Sequence, residues 1–175
     1  MKRKLTIIND CSNVMETLIP YLEDDYKVKF IPRSRGLWSK TFGILWKIAR
    51  SNSDLFHVSY ALQDAWLTQK LKHLHILHVH GSDSIAPIHS KKWGWIVKSN
   101  LKSADKVLYS TPDLKEKLDY LSSNVEYLPT PINMKMFTPK LEVEYNANPS
   151  RAVYWKKYYE ELPKELPSLL KKHNI

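Results

Sequence analysis

The sequence predicts an α/β fold: a Rossmann-like three-layer domain built on a mostly parallel sheet. Two observations carry this expectation. Short apolar runs alternate with longer amphipathic stretches from Leu5 to Leu128, and strands alternating with helices at this spacing imply βαβ crossovers, which pair strands in parallel and cover both faces of the sheet. The chain can also build the required core: its 175 residues are 43% hydrophobic and 26% charged, which suits one domain with a short appendage.

Leu5 to Ile8 reads as a buried first strand. Ser12 to Glu23 reads as a helix, with Asn9, Asp10 or Ser12 available as its cap. Lys27 to Ile31 alternates and reads as a second strand. Gly36 to Ser51 predicts a helix whose apolar stripe is Trp38, Phe42, Leu45 and Ala49. Asp54 to Ser59 is a third strand and Ala61 to Lys72 a helix. Leu74 to Val79 is a fourth strand, ending in His80 and Gly81. Pro87 to Ala104 reads as one long basic helix, and Lys106 to Ser110 as a fifth strand. Thr111 and Pro112 then start a helix that runs to about Leu121, because proline fits the first helical position. Asn124 to Leu128 is a sixth strand, stopped by Pro129 and Pro131. Parallel sheets bind ligands at the carboxyl ends of their strands, near a reversal in strand order. Four segments fall there: Asn9–Asn13, Ser59–Tyr60, His80–Ser84 and Ser110–Thr111.

No apolar run approaches the roughly 18 residues of a membrane span. The run from Leu5 to Ile8, behind a basic start, is too short for a signal-peptide core. A single cysteine, Cys11, fits a reducing compartment. A cytoplasmic protein is therefore expected. The net charge is +9 and the isoelectric point about 9.5, which calls for an anionic partner or surface. No helix-turn-helix, zinc-finger or RNA-binding signature is present, so nucleic acid is not the expected partner. Trp38, Lys40, Trp46, Lys47 and Arg50 lie on one predicted helix. Lys91, Lys92, Trp93, Trp95, Lys98 and Lys102 lie on another. Interleaved tryptophan and lysine suit docking on the inner face of an anionic membrane, with rings at headgroup depth. The plainer reading is that half of these tryptophans are core and the lysines solvate a face. His73, His75, His78 and His80 form two same-face pairs along a strand. No cysteine and few carboxylates stand near to complete a metal shell, so no metal is expected.

Three segments, taken in order, resemble the amino-terminal domain of GT-B fold glycosyltransferases of the family 4 type. They are His78-Val79-His80-Gly81-Ser82-Asp83; Ser103 to Pro112; and Val125-Glu126-Tyr127-Leu128-Pro129-Thr130-Pro131-Ile132-Asn133, with Phe137 and Pro139 after it. The resemblance covers about residues 1–140. It implies two Rossmann-like domains facing across a cleft. The first binds mainly the acceptor. The second binds mainly a nucleotide-sugar donor and often carries a spaced pair of glutamates, which this sequence lacks. Under this resemblance residues 1–140 are the acceptor-side domain and 141–150 a linker. Residues 151–175 are either the start of the second domain or a carboxyl-terminal helix that packs back on the first.

The expected activity is transfer of a sugar from a nucleotide-sugar donor to a hydroxyl of a saccharide or lipid acceptor. The chain is expected to be inactive alone unless a partner domain or chain supplies the donor site, and to carry no cofactor of its own. His80 and Asp83 are the expected catalytic residues. The imidazole can orient a hydroxyl or phosphate, or it simply ends the strand and bonds locally. Asp83 accepts from sugar hydroxyls or caps the following turn. Asp10, Cys11, Ser12, Asn13, Tyr60, Gly81, Ser82 and Thr111 are the expected substrate-binding residues. The first loop, Asn9–Asn13, contains no glycine, which argues against a dinucleotide cofactor and departs from the glycine-bearing loop common in the family. Amides at the start of its helix can still hold an anion. The alternative is a non-catalytic module that docks on anionic membranes or saccharides.

Overall fold

Six strands form one sheet: β1 (Arg3–Ile8), β2 (Tyr26–Ile31), β3 (Leu55–Ser59), β4 (His75–Val79), β5 (Lys106–Tyr109) and β6 (Val125–Tyr127). In the computed structural model, which describes residues 1–11, 13–32, 36, 38–81 and 85–131, they run in the order β2-β1-β3-β4-β5-β6 and every pairing is parallel. The fold is the expected Rossmann-like three-layer arrangement. Residues Met1–Thr130 form one compact unit. The linker and tail expected at 141–175 lie outside the described residues.

Central strands of a parallel sheet are buried on both faces and read as continuous apolar runs. β4 is buried at all five positions. β2, at the edge, buries only its ends, Tyr26 and Ile31, and turns Lys27 and Lys29 towards solvent or partial exposure. Ile8, Phe56, Val58, Leu77, Val79, Val107 and Tyr109 share one face and one core cluster. Against them pack Ile44 and Ile48 of α2 (Ile44–Ala49), Ala65 and Leu67 of α3 (Gln63–Lys70), and Val97 and Leu101 of α5 (Gly94–Ser103). The chain steps from β1 to β2 in one direction and thereafter in the other. Because βαβ crossovers are right-handed, α1 (Val14–Leu22) falls on the opposite face, where it buries Val14, Met15, Leu18 and Leu22.

Three helices differ from expectation. The helix at Gly36 to Ser51 contains a π-helical turn, Ser39–Gly43, before α2. Its buried residues are Ile44 and Ile48, while Trp38, Phe42 and Ala49 are exposed and Leu45 is half-buried. Apolar residues surround this helix, so two stripes competed; the four-residue spacing of the isoleucines seats against the sheet and turns the aromatics out. The basic helix expected from Pro87 to Ala104 is two helices, α4 (Ile85–Ile88) and α5. The Ser90 hydroxyl accepts the amides of Lys92 (3.2 Å) and Trp93 (3.3 Å) and so breaks the helical ladder. At Gly94 a Cβ would stand 2.5 Å from the Ile88 carbonyl oxygen. The chain therefore turns tightly where only glycine fits. The helix after Thr111 begins as a 3-10 turn, Pro112–Leu114, and continues as α6 (Lys115–Leu118). Among the described residues, no helix is long and apolar enough to cross a membrane.

Candidate functional site

The strand order reverses between β1 and β3, and the residues just beyond their carboxyl ends meet there. Asn9 follows β1. It is buried, donates its backbone amide to the Ile31 carbonyl (2.9 Å), and donates its side-chain Nδ2 to the carboxylate of Asp64 in the first turn of α3. Its φ is +64° and that of Asn13 is +63°. Asparagine tolerates the left-handed region better than other side chains with a Cβ. Two asparagines thus supply the positive-φ turns of a loop that contains no glycine. The Asp10 carboxylate accepts the amides of Met15 (2.9 Å) and Glu16 (3.2 Å). It fills the place at the start of α1 that the sequence left open to a bound anion. Among the described residues offered as caps, Asp10 accepts these helix amides from outside the helix.

Tyr60 follows β3 with φ +82°, a costly conformation for a bulky side chain, of the kind that persists where the surroundings over-determine it. Its amide is held by the His78 carbonyl at 3.1 Å. The next two carbonyls, of Ala61 and Leu62, accept from the buried Nδ2 of Asn100 on α5 (3.0 and 2.8 Å). The ring of Tyr60 stands edge-on to that of His80, 5.9 Å between centroids. Gly81 follows with φ +99°.

Behind this edge lies a polar wall. His57 and Ser59 of β3, His78 of β4, and His80 and Ser110 just past β4 and β5 share the parity of the α1 face. The ring centroids of His57 and His78 are 5.5 Å apart and those of His78 and His80 are 4.3 Å apart. The Ser110 hydroxyl bridges two imidazoles, with Nε2 of His78 at 3.0 Å and Nδ1 of His80 at 2.9 Å. A hydroxyl has one hydrogen to give, so it donates to one ring and accepts from the other. His78 Nδ1 is buried without a partner. The relay runs either from His78 Nε2 through Ser110 to Nδ1 of His80, which puts the proton of both rings on Nε2, or in reverse, which puts both on Nδ1. Burial is the main cause that pushes the pKa of His57 down to about 4 and that of His78 well below its ordinary value; the neighbouring imidazoles add to both shifts. Both rings are neutral at physiological pH.

Of the residues expected at a site, Tyr60, His80 and Gly81 lie together at the carboxyl edge. Asp10, half-buried Cys11 and Asn13 form the neighbouring first loop. Thr111 is exposed, and its carbonyl accepts the amide of Leu114 (3.1 Å). Ser12, Ser82 and Asp83 lie outside the described residues. Trp38, Trp46, Lys47, Lys91, Lys92, Trp93 and Trp95 are all exposed, so none of these four tryptophans is core. Asn9, Asp64, His57, His78 and Ser110 belong to the arrangement but were not singled out as site residues. The signal for three of them was parity, because His57, His78 and Ser110 fall on the same face as His80. Among the described residues, no three His, Cys, Asp or Glu side chains are grouped to hold a metal. His73 instead stacks on Phe56 (4.4 Å), and His75 Nδ1 lies 3.0 Å from the His73 carbonyl.

The arrangement sets a tyrosine ring beside an imidazole that a serine hydroxyl links to a second imidazole, on backbone of positive φ, above a buried polar wall. It suits holding and orienting oxygen-bearing groups. The sequence matches no protein-family model and no curated protein.

Proposed function

We propose that this chain is the acceptor-side domain of a GT-B glycosyltransferase of the family 4 type. A saccharide or lipid hydroxyl is held at the carboxyl edge of the sheet, and a nucleotide-sugar donor is held by a second domain, on the same polypeptide or on a partner. One observation carries the reading. Asn9, Tyr60, His80 and Ser110 converge just past the ends of β1, β3, β4 and β5, across the reversal of strand order, where ligands of open parallel sheets bind. The three sequence segments that resemble the family add to it, since two of them supply this edge through His78 to Gly81 and through Ser110 and Thr111.

Within this reading Tyr60 offers its ring to a sugar face, and His80, held by Ser110, stands edge-on beside that ring and fixes the orientation in which the acceptor is held. Orientation of this kind lowers the barrier to transfer by holding the nucleophile close to the anomeric carbon. Departure of the donor's diphosphate needs groups that the second domain would contribute.

The test is a titration of the isotope-labelled chain, followed by NMR, with a panel of mono- and disaccharides and separately with nucleotide sugars. The expected result is shifts at Asn9, Tyr60, His80 and Ser110 with at least one saccharide, and no turnover of nucleotide sugar by the chain alone. Saturable nucleotide-sugar binding at this edge, or turnover by the isolated chain, would overturn the assignment.

A further inference from the structure

The outer helical layer carries a second surface that the sheet edge does not use. α3 packs between α2 and α5 on one face of the sheet. On α2, Trp46 is 63% exposed, with the Arg50 guanidinium 4.9 Å from its ring centre. On α3, the Lys70 ammonium lies 5.5 Å from the ring centre of half-buried Trp66. On α5, Trp95 is 57% exposed and meets Trp66 edge-on at 6.1 Å. Trp38 and Phe42, 79% and 62% exposed, stack at 5.3 Å on the turn leading into α2. Trp93, ahead of α5, has Lys92 5.2 Å from its ring centre. Large apolar side chains grouped in this way on a surface mark an interaction site.

The charge on the same elements is one-sided. Residues 36–53 and 84–104 together contain seven lysines and arginines and no aspartate or glutamate. Most of the net charge of +9 therefore resides on the helices that expose the rings. Indole has an apolar body and a polar N–H, which places it at the depth of lipid headgroups, and neighbouring ammonium groups meet lipid phosphates there.

We propose that the α2–α3–α5 layer docks on an anionic lipid bilayer, with Trp46, Trp95 and the Trp38–Phe42 pair at headgroup depth and Arg50, Lys70, Lys91 and Lys92 on the phosphates. A second copy of the chain is a poor occupant, because the two faces would bring like charges together. Nucleic acid fits less well. Cations lie over Trp46, Trp66 and Trp93, and Phe42 covers one face of Trp38, which closes ring faces that unstacked bases would need. The surface is separate from the carboxyl edge, so docking stands or falls independently of the acceptor reading.

The full chain is sedimented with vesicles of phosphatidylcholine alone and of phosphatidylcholine mixed with phosphatidylglycerol, at low and high salt. Binding to the anionic vesicles only is expected, and it weakens as salt rises. The Lys91→Gln/Lys92→Gln variant should bind about 25-fold more weakly, near fivefold for each cation lost. In the Trp46→Ala/Trp95→Ala variant, quenching of tryptophan fluorescence by brominated lipid should fall and binding should weaken. All four side chains are exposed, and far-UV circular dichroism checks that each variant keeps the wild-type fold. Equal binding to neutral vesicles would overturn the proposal, as would quenching unaffected by removal of Trp46 and Trp95. Tighter binding to duplex DNA than to anionic vesicles would assign the surface to nucleic acid instead.

Discussion

The two ends of the sheet treat their polar groups differently. At the amino end, Thr6, Ser51 and Ser53 close on one another, with Oγ1 of Thr6 2.8 Å from Ser51 Oγ and 2.7 Å from Ser53 Oγ. Asp54 accepts the Lys4 amide (2.8 Å) and Asp105 accepts the His75 amide (2.9 Å). These side chains finish the hydrogen bonding of strand ends. Towards the carboxyl end, Asn9 Oδ1, His57 Nε2, Ser59 Oγ and His78 Nδ1 are buried with no partner, and Asn9, Tyr60 and Gly81 hold positive φ. At the first end most of these groups are paired, although His75 Nε2 is buried with no partner and Lys72 holds positive φ there. The second end gathers more of both features, and such local conflicts with foldability concentrate where a protein binds or reacts.

The largest consequence is a dependence of stability on pH. His57 and His78 are neutral in the fold, their pKa values lowered chiefly by burial, and both take up protons on unfolding. The unfolded chain then binds more protons wherever pH lies below about 6.5 and above the folded values, so stability rises with pH in that window. It is fully present above about pH 6.5 and is lost as pH falls towards 4, the folded value for His57. His57 alone accounts for about 3 kcal/mol across that span. Urea denaturation at a series of pH values should show the decline, and His57→Phe should flatten it. An equally steep profile in that variant would mean that the carboxyl-end imidazole is not the source.

Next in size is an effect at the amino end. Thr6→Val keeps the β-branched shape of the strand residue but removes a buried hydroxyl that meets two others. Ser51 and Ser53 retain their own contact at 3.2 Å, so the expected loss is about 1–2 kcal/mol. A lowered urea midpoint with an unchanged slope would show it. A neutral result would remove the contrast between the two ends from one side.

Ser59→Ala should act in the opposite sense. The Ser59 hydroxyl is buried and unpaired, and removing an unsatisfied polar atom from an apolar-sized space stabilises by about 0.5–1 kcal/mol. A loss of stability instead would reveal a partner for that hydroxyl and would weaken the view that this end is under strain.

The sheet was legible because its signal is local and repeated. Four of the six strands fall within the runs read from apolar pattern, β1 and β2 start earlier than those runs, at Arg3 and Tyr26, and the carboxyl-end loops follow from the βαβ rule. The helices were less legible for identifiable reasons. Between Gly36 and Ser51, Ile44 and Ile48 compete with Trp38, Phe42 and Leu45 for one buried stripe, and periodicity cannot rank two stripes. Between Pro87 and Ala104, a single glycine at 94 is compatible with a continuous helix as far as local pattern goes. Only the close approach of the Ile88 carbonyl shows why it marks a break. At the candidate site, the glycine-free loop read as a departure because glycine is the usual bearer of positive φ, whereas Asn9 and Asn13 meet the same need. The Asn9–Asp64 and Asn100–Ala61 links span 55 and 39 residues of sequence, and no local pattern announces such pairs.

The smallest effect is spectroscopic, and it contrasts two serines. Ser51, at the amino end, meets other hydroxyls, each of which can rotate its hydrogen to suit. Ser110 meets two imidazoles, whose hydrogens are fixed in the ring plane, so the serine transmits a choice made by His78 to His80. Two-bond proton–nitrogen correlations on the nitrogen-labelled chain at neutral pH should show both rings protonated on the same nitrogen, Nε2 in both or Nδ1 in both. Ser110→Ala removes the relay, and His80 should then shift towards a mixture of tautomers, while the far-UV spectrum stays that of the wild type. Protonation on Nε2 in both rings means that His78 donates to Ser110, and protonation on Nδ1 in both means that Ser110 donates to His78. Rings protonated on different nitrogens would break the relay.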